Sequence, residues 1–268
     1  MSGALGRAET RALLERHGVR PDHSLGQHFL AEPPVVDRIV EVSGVGPGTR
    51  VVEVGAGAGT LTRALAATGA EVVAYEVDER LRPVLAEALA GLDVDIRFAD
   101  AAGADPLVEG EGWVMVANLP YNVGTPLVLD ALRHTPAIDR FVVMLQREAV
   151  DRLAAGPGSR AYGVPSVVVG LHGRIEVAIR VSPKSFIPPP EVESSVALIE
   201  RIDPPAGAER AIALAAAAFG QRRKMLRSAL RGALAHPEEA LVAAGIDPTE
   251  RAERIPPAGW VALAGAAP

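Results

Sequence analysis

The 268-residue chain contains no cysteine, which excludes disulfides, thiolate metal sites and a cysteine nucleophile together. Its six histidines, His17, His23, His28, His134, His172 and His236, fall at no metal-ligand spacing such as H-x-x-x-H. A resident metal is therefore not expected. No apolar run approaches the roughly 18 residues that cross a bilayer. The first residues, MSGALGRAETRALLERHG, read as a charged helix rather than a secretory signal. A cytoplasmic protein without membrane contact is the expectation. Positive charge is also scarce: 27 Lys and Arg face 33 Asp and Glu, a net charge of −6. The total argues against nucleic acid as a partner, but its distribution matters more. Residues 207–268 carry eight Lys and Arg against six Asp and Glu, a local net of +2 that leaves −8 on the rest.

What is present is ordinary globular material, 49% hydrophobic and 22% charged. Helical spacing is found at 5–20 and, opened by Pro33-Pro34 and closed near Gly44, at 33–43. From there short β-branched runs alternate with helical ones. TRVVEVGAGAG precedes TLTRALAATGA, EVVAYEVD precedes ERLRPVLAEALAGL, and DIRFADA and WVMVAN precede TPLVLDALRHT and RFVVMLQ. Strands alternating with helices of that length imply a parallel, doubly wound α/β sheet. SVVVGLHGRIEVAIRVSP and SSVALIERI read as hairpin-type strands closing it, and DPPAGAE as a linker. Ala-rich helices follow at 209–235, 237–245 and 257–264. The expected organisation is an α/β domain at 1–204 and a small helical domain at 205–268. No extended apolar interface is visible, so a monomer is expected.

Four stretches carry chemistry. VVEVGAGAGTLT places glycines at 55, 57 and 59 between a strand and a helix, where the backbone can turn sharply and approach a ligand. A dinucleotide fingerprint would also need glycine at 60, where Thr60 stands. The register instead resembles the first motif of S-adenosylmethionine-dependent methyltransferases. Glu76, 19 residues after Gly57 at the end of the next strand, can accept both hydroxyls of a ribose, with Asp78 as its rival. Asp100, at a further strand end, can accept from an adenine amino group. The fourth is NLPY, Asn118 to Tyr121, where a buried strand ends in an amide, a rigid proline and an aromatic ring. Such a tetrapeptide resembles the catalytic motif of amino-directed methyltransferases. The exocyclic amine of adenine is a poor nucleophile because its lone pair is delocalised into the ring. The Asn118 amide oxygen and the Leu119 carbonyl can accept its two N–H groups and draw the nitrogen toward sp³ geometry. Pro120 fixes that carbonyl, and Tyr121 offers a face for the base.

Five ordered segments, SLGQHFL, NLPYNV, AGPGSRAYG, FIPPPEVESSV and FGQRRKMLRSAL, resemble the KsgA family of ribosomal RNA adenine dimethyltransferases over residues 20 to 260. The resemblance implies a Rossmann-like class I methyltransferase sheet and N6,N6-dimethylation of two adjacent adenines in the 3′-terminal hairpin loop of 16S rRNA, within a pre-30S particle. It implies S-adenosylmethionine contacts at His28, Leu30, Gly55, Gly57, Glu76, Asp100 and Asn118, with Gln27 beside them. It further implies that Phe186 covers the target base opposite Tyr121. His28 stands where the bacterial members most often have asparagine, and Ala56 replaces the usual proline. Arg222, Arg223, Lys224, Arg227 and Arg231, with no acid between Phe219 and His236, read as an RNA-phosphate contact. On one continuous helix 223, 227 and 231 would share a face. Two other readings are a macrolide-resistance methyltransferase acting on a 23S rRNA adenine and an assembly factor whose methylation is secondary.

Overall fold

The structure is a computed structural model that describes residues 3–104 and 107–267. In chain order its elements are α1 (Arg7–Arg16), β1 (Phe29–Leu30), α2 (Pro33–Ser43), β2 (Arg50–Val54), α3 (Thr60–Ala66), β3 (Glu71–Glu76), α4 (Arg82–Ala88), β4 (Val94–Phe98), β5 (Trp113–Asn118), α5 (Gly124–His134) and β6 (Ile138–Gln146). There follow α6 (Arg147–Leu153), α7 (Val164–His172), β7 (Gly173–Val181), β8 (Phe186–Ile187), β9 (Ser194–Arg201), α8 (Ala208–Phe219), α9 (Leu226–Ala229), α10 (Pro237–Ala243) and α11 (Pro257–Ala266). Short 3₁₀ turns lie between several of them.

Seven strands form one sheet in the order β4-β3-β2-β5-β6-β9-β7, and β1 pairs with β8 in a separate antiparallel ribbon. The pairs from β4 to β6 are parallel, and β9 runs antiparallel to β6. The expected α/β sheet is thus observed. Strands β2, β3 and β4 step outward to one side, after which β5 returns to the other side of β2. The strand order therefore reverses between β2 and β5, and a crevice opens where their carboxyl ends diverge. Val51, Val116, Val142 and Leu65 are fully buried around this centre.

By its internal contacts the chain separates into two units, one holding residues up to Val150 with Glu176–Arg201, the other Asp151–Ile175 with the residues from Ile202 onward. After the sheet's last strand the chain passes from the first unit to the second between Arg201 and Ile202. Residues 151–175, assigned by sequence to the first domain, group instead with the C-terminal helices. The reason lies in SVVVGLH, read as strand but folded as α7. Pro165 sits in its first turn, and Ser166 Oγ accepts from Gly163 N at 3.2 Å and donates to the Arg152 carbonyl at 2.6 Å. Val167, Val168, Val169 and Leu171 are all buried, so the run is apolar on every side and its periodicity cannot separate strand from helix.

In the second unit Tyr162 meets Phe219 edge-on and Phe219 meets Trp260 at a tilt, with ring centroids 5.8 and 6.2 Å apart. Tyr162 Oη donates to the Ile255 carbonyl at 2.8 Å. The helix expected across 209–235 is broken. α8 ends at Phe219, residues 221–225 form turns, and α9 is a single turn. Arg222 drives the break, because its guanidinium reaches the carbonyls of Tyr162 at 2.8 Å and Arg160 at 3.0 Å and pairs with Glu253 at 2.9 Å. A continuous helix would not deliver it there.

Candidate functional site

The glycine loop after β2 is built from backbone that only glycine adopts without strain. Gly55, Gly57 and Gly59 have φ of +82°, +56° and +81°. The amides of Gly55 and Ala56 both donate to the Tyr75 carbonyl, at 2.8 and 3.1 Å, which ties the loop to the end of β3. A Cβ at Gly57 would stand 3.1 Å from the Phe29 ring, so a side chain there would crowd that ring.

Glu76 ends β3 with its side chain buried, Oε2 accepting from Gly57 N at 2.8 Å and Oε1 from Asp78 N at 2.9 Å. Burial raises its pKa, against the backbone N–H groups of Asp78, Gly57 and Val77 that favour the anion. Each oxygen keeps a further lone pair for a ligand hydroxyl. Its rival is otherwise engaged: Asp78 pairs with Arg80 at 2.7 Å and accepts from Gln27 Nε2 at 2.8 Å. The Arg80 hydrogen bond holds the Asp78 carboxyl below its ordinary range. Asp100 accepts from Ala102 N at 3.0 Å, which fixes the turn after β4.

Asn118 is the last residue of β5, and Leu119 N still donates to the Met144 carbonyl of β6 at 3.1 Å. The Asn118 Nδ2 donates to the His28 carbonyl at 3.2 Å. A carbonyl can only accept, so the amide is oriented with Oδ1 left to receive a proton donor. No group among the described residues donates to the Leu119 carbonyl, whereas the Pro120 carbonyl accepts from Val123 and Gly124 at the start of α5. The two acceptors that the sequence assigns to an amine are thus adjacent and open. Tyr121 is half-buried with its hydroxyl 2.7 Å from Ser194 Oγ, and burial raises its pKa against that bond.

These parts meet at the carboxyl ends of β2 to β5. One cavity is lined by His28, Gly55, Gly57, Glu76, Asp100 and the Asn118–Tyr121 segment, with Gln27 beside them. Two expected residues lie elsewhere. Leu30 is buried and borders a smaller neighbouring cavity instead. Phe186, expected to cover the base opposite Tyr121, is fully buried, because pairing with Leu30 in the β1–β8 ribbon turns its ring into the core. His28 takes the place beside Tyr121, stacked with centroids 5.6 Å apart and planes at 29°. Its Nδ1 is 2.8 Å from the Pro188 carbonyl, so Nδ1 carries the proton and Nε2 is the open nitrogen.

The five expected RNA-contacting cations divide. Arg222 is committed within its own unit, as described, and Arg227 pairs with Glu238 at 3.2 Å. Arg223, Lys224 and Arg231 are exposed, with no side-chain partner among the described residues. The shared helical face of 223, 227 and 231 does not exist, since turns separate them. Sequence reasoning passed over Ser194 and Glu53. The signal for Glu53 was available: an acid inside an otherwise apolar strand, two residues before the glycine loop. No group of residues suited to a metal ion is found among the described residues.

A family model described as ribosomal RNA adenine dimethylase matches residues 19–266. The ribosomal RNA small subunit methyltransferase A of Nocardia farcinica is 44% identical, covering 98% of this chain and 95% of its own. That of Rhodospirillum rubrum is 46% identical, covering 96% and 91%. Among solved structures, a dimethyladenosine transferase from Plasmodium falciparum superposes with a TM-score of 0.73 at 22% identity, covering 88% of this chain and 96% of its own. The 23S rRNA methyltransferase ErmE does so with 0.70 at 25%, covering 89% and 98%.

Proposed function

Because this chain belongs to the ribosomal RNA adenine dimethylase family, we propose that it is an S-adenosylmethionine-dependent rRNA (adenine-N6,N6)-dimethyltransferase of the small ribosomal subunit. The observation that carries the reading is the open acceptor pair. Asn118 Oδ1 is left as a free acceptor by the bond from Nδ2 to the His28 carbonyl, and the Leu119 carbonyl beside it has no donor among the described residues.

The lining suits the cofactor. The Glu76 carboxylate is placed for ribose hydroxyls, Asp100 for the adenine amino group, and Gly55 and Gly57 of the glycine loop line the same cavity without side chains to occupy it. S-adenosylmethionine, when bound there, supplies an electrophilic methyl group. Asn118 and Leu119 hold the two N–H groups of the target amine, so its lone pair turns out of the ring and toward the methyl. Tyr121 steadies the base by stacking, worth about 1–3 kcal/mol. No base of matched pKa is needed beforehand, since the proton leaves once nitrogen has been alkylated. Two adenines, each taking two methyl groups, require four turnovers.

The finer substrate assignment is two adjacent adenines in the 3′-terminal hairpin loop of 16S rRNA, within a pre-30S particle in the cytoplasm. Arg223, Lys224 and Arg231 contribute phosphate contacts. The names of the curated relatives support the small subunit, while ErmE shares the fold and acts on 23S rRNA. The test is incubation with methyl-labelled S-adenosylmethionine and unmethylated small or large subunits, followed by mapping of the modified nucleotides. Label confined to two adjacent small-subunit adenines is expected; label in large-subunit RNA alone would overturn the assignment.

A further inference from the structure

The segment AGPGSRAYG, residues 155–163, takes no part in the site described above, yet it is tied down at several points within the second unit. Gly158 N donates to the Glu253 carbonyl at 2.6 Å, Ser159 Oγ to the Gly156 carbonyl at 2.8 Å and Tyr162 Oη to the Ile255 carbonyl at 2.8 Å. Between these anchors residues 156–161 are all exposed. Arg222 gathers the turn from one side, its guanidinium donating to the carbonyls of Tyr162 at 2.8 Å, Arg160 at 3.0 Å and Ser159 at 3.4 Å. A fixed, exposed turn whose carbonyls all converge on one arginine must present something else outward.

Peptide geometry says what that is. In a trans peptide the C=O and the N–H of the following residue point in opposite directions, and the peptides at 159–160 and 160–161 are trans. With the Ser159 and Arg160 carbonyls on Arg222, the amides of Arg160 and Ala161 face away from it. Neither amide has an acceptor among the described residues. Successive free amides of a turn, here preceded by Gly158 at a φ of +84°, favour an anion. Cations flank the same turn. The Arg160 side chain is exposed with no partner among the described residues. The Arg254 guanidinium lies against Gly158, where a Cβ would stand 3.1 Å from Nη1. No acid occurs between Asp151 and Glu176, and the carboxylate of Glu253 is already paired with Arg222.

We propose that the turn at 156–161 is a phosphate-binding site for the RNA backbone. The amides of Arg160 and Ala161 and the Arg160 guanidinium hold a phosphodiester group, and Arg254 adds positive charge beside Gly158. Arg222 is a positioning residue, which turns the amides outward by drawing the carbonyls inward. Amides and guanidinium groups on a phosphate fix placement and carry no base information, so the turn anchors the substrate and leaves the choice of adenine to the methyl-transfer site. The inference rests on the rRNA reading above and adds a contact of a different kind, backbone N–H groups, to the side-chain contacts of Arg223, Lys224 and Arg231.

The full chain is titrated with unmethylated small subunits from low to physiological salt. Arg160→Ala and Arg160→Glu are expected to weaken binding and to lower the slope of log affinity against log salt by about one, with melting temperature unchanged. Arg160→Lys, which keeps the charge, should keep the wild-type slope. Amide deuterium exchange of the wild type reads the backbone without a variant: at the shortest exposure, the amides of Arg160 and Ala161 should exchange freely in the free protein and be protected in the complex. A photo-crosslinker placed at Ala161 should capture rRNA. Unchanged slopes for both charge-removing variants, exchange at 160 and 161 that the particle does not slow, or cross-links to ribosomal protein alone would each overturn the proposal while leaving the methyl-transfer reading intact. A wild type that neither binds nor methylates ribosomal particles overturns both.

Discussion

Asn118 illustrates how one residue can be fixed by a bond that is not itself part of the chemistry. Its Nδ2 is held by the His28 carbonyl, and the orientation of Oδ1 follows. Asn118→Ala should therefore lower methyl transfer on the order of 100-fold or more, by analogy with removal of one preorganised polar group, while binding to small subunits is retained; single-turnover transfer and particle pull-down measure the two. Tyr121 separates stacking from hydrogen bonding. Tyr121→Phe loses only the contact to Ser194 and should keep most activity, whereas Tyr121→Ala should lose about 10- to 100-fold through weaker base binding. Glu53 sets a stability trend. Its ordinary value is 4.5 and its folded value about 8, so between those values the native state holds a proton that the unfolded chain has released. Stability of the free protein should then fall as pH rises from about 4.5 and level off above about 8. Glu76, also raised by burial, acts in the same direction. Melting temperatures across this window should decline for the wild type and decline less for Glu53→Gln.

At the scale of elements, the junction of β5 and α5 positions the acceptors. Gly124, the first residue of α5, lies so close to its neighbours that a Cβ there would stand 2.4 Å from Leu145 Cδ2 and 2.8 Å from Leu119 Cβ. Gly124→Ala must push Leu119 aside. It should cost about 1–3 kcal/mol by overpacking, read from denaturant midpoints, and reduce transfer through displacement of the Leu119 carbonyl. The parallel strands, the glycine loop and the acidic strand ends were legible in sequence because each is local: β-branched runs, positive-φ glycines and carboxylates at fixed positions after a strand. The break in α8 was not, because its cause is a long-range one, Arg222 reaching carbonyls some sixty residues earlier. Phe186 was misplaced for a similar reason. Its motif is local, but its burial follows from pairing with Leu30, far away in the chain.

At the scale of the whole molecule, an acidic chain with a net charge of −6 must bind a polyanion, and it can do so only through a local surplus of unneutralised cations. Counting Arg and Lys overstates that surplus, since a cation already paired with a carboxylate releases no counterion from RNA. Arg222 is committed to Glu253 and to backbone carbonyls, and Arg227 to Glu238. Arg223, Lys224 and Arg231 are exposed without such partners among the described residues. The two groups should respond to substitution in opposite ways. Arg223→Glu and Arg231→Glu should each weaken binding to small subunits and reduce the slope of log affinity against log salt by about one, with S-adenosylmethionine affinity and melting temperature unchanged. Arg222→Ala should instead lower stability by about 2 kcal/mol, the worth of charge-assisted hydrogen bonds, and affect RNA binding only as far as its own unit loosens. Particle binding measured from low to physiological salt, alongside thermal melts of the same variants, separates the two roles. A salt slope that drops for Arg222→Ala and not for Arg223→Glu would reverse the assignment.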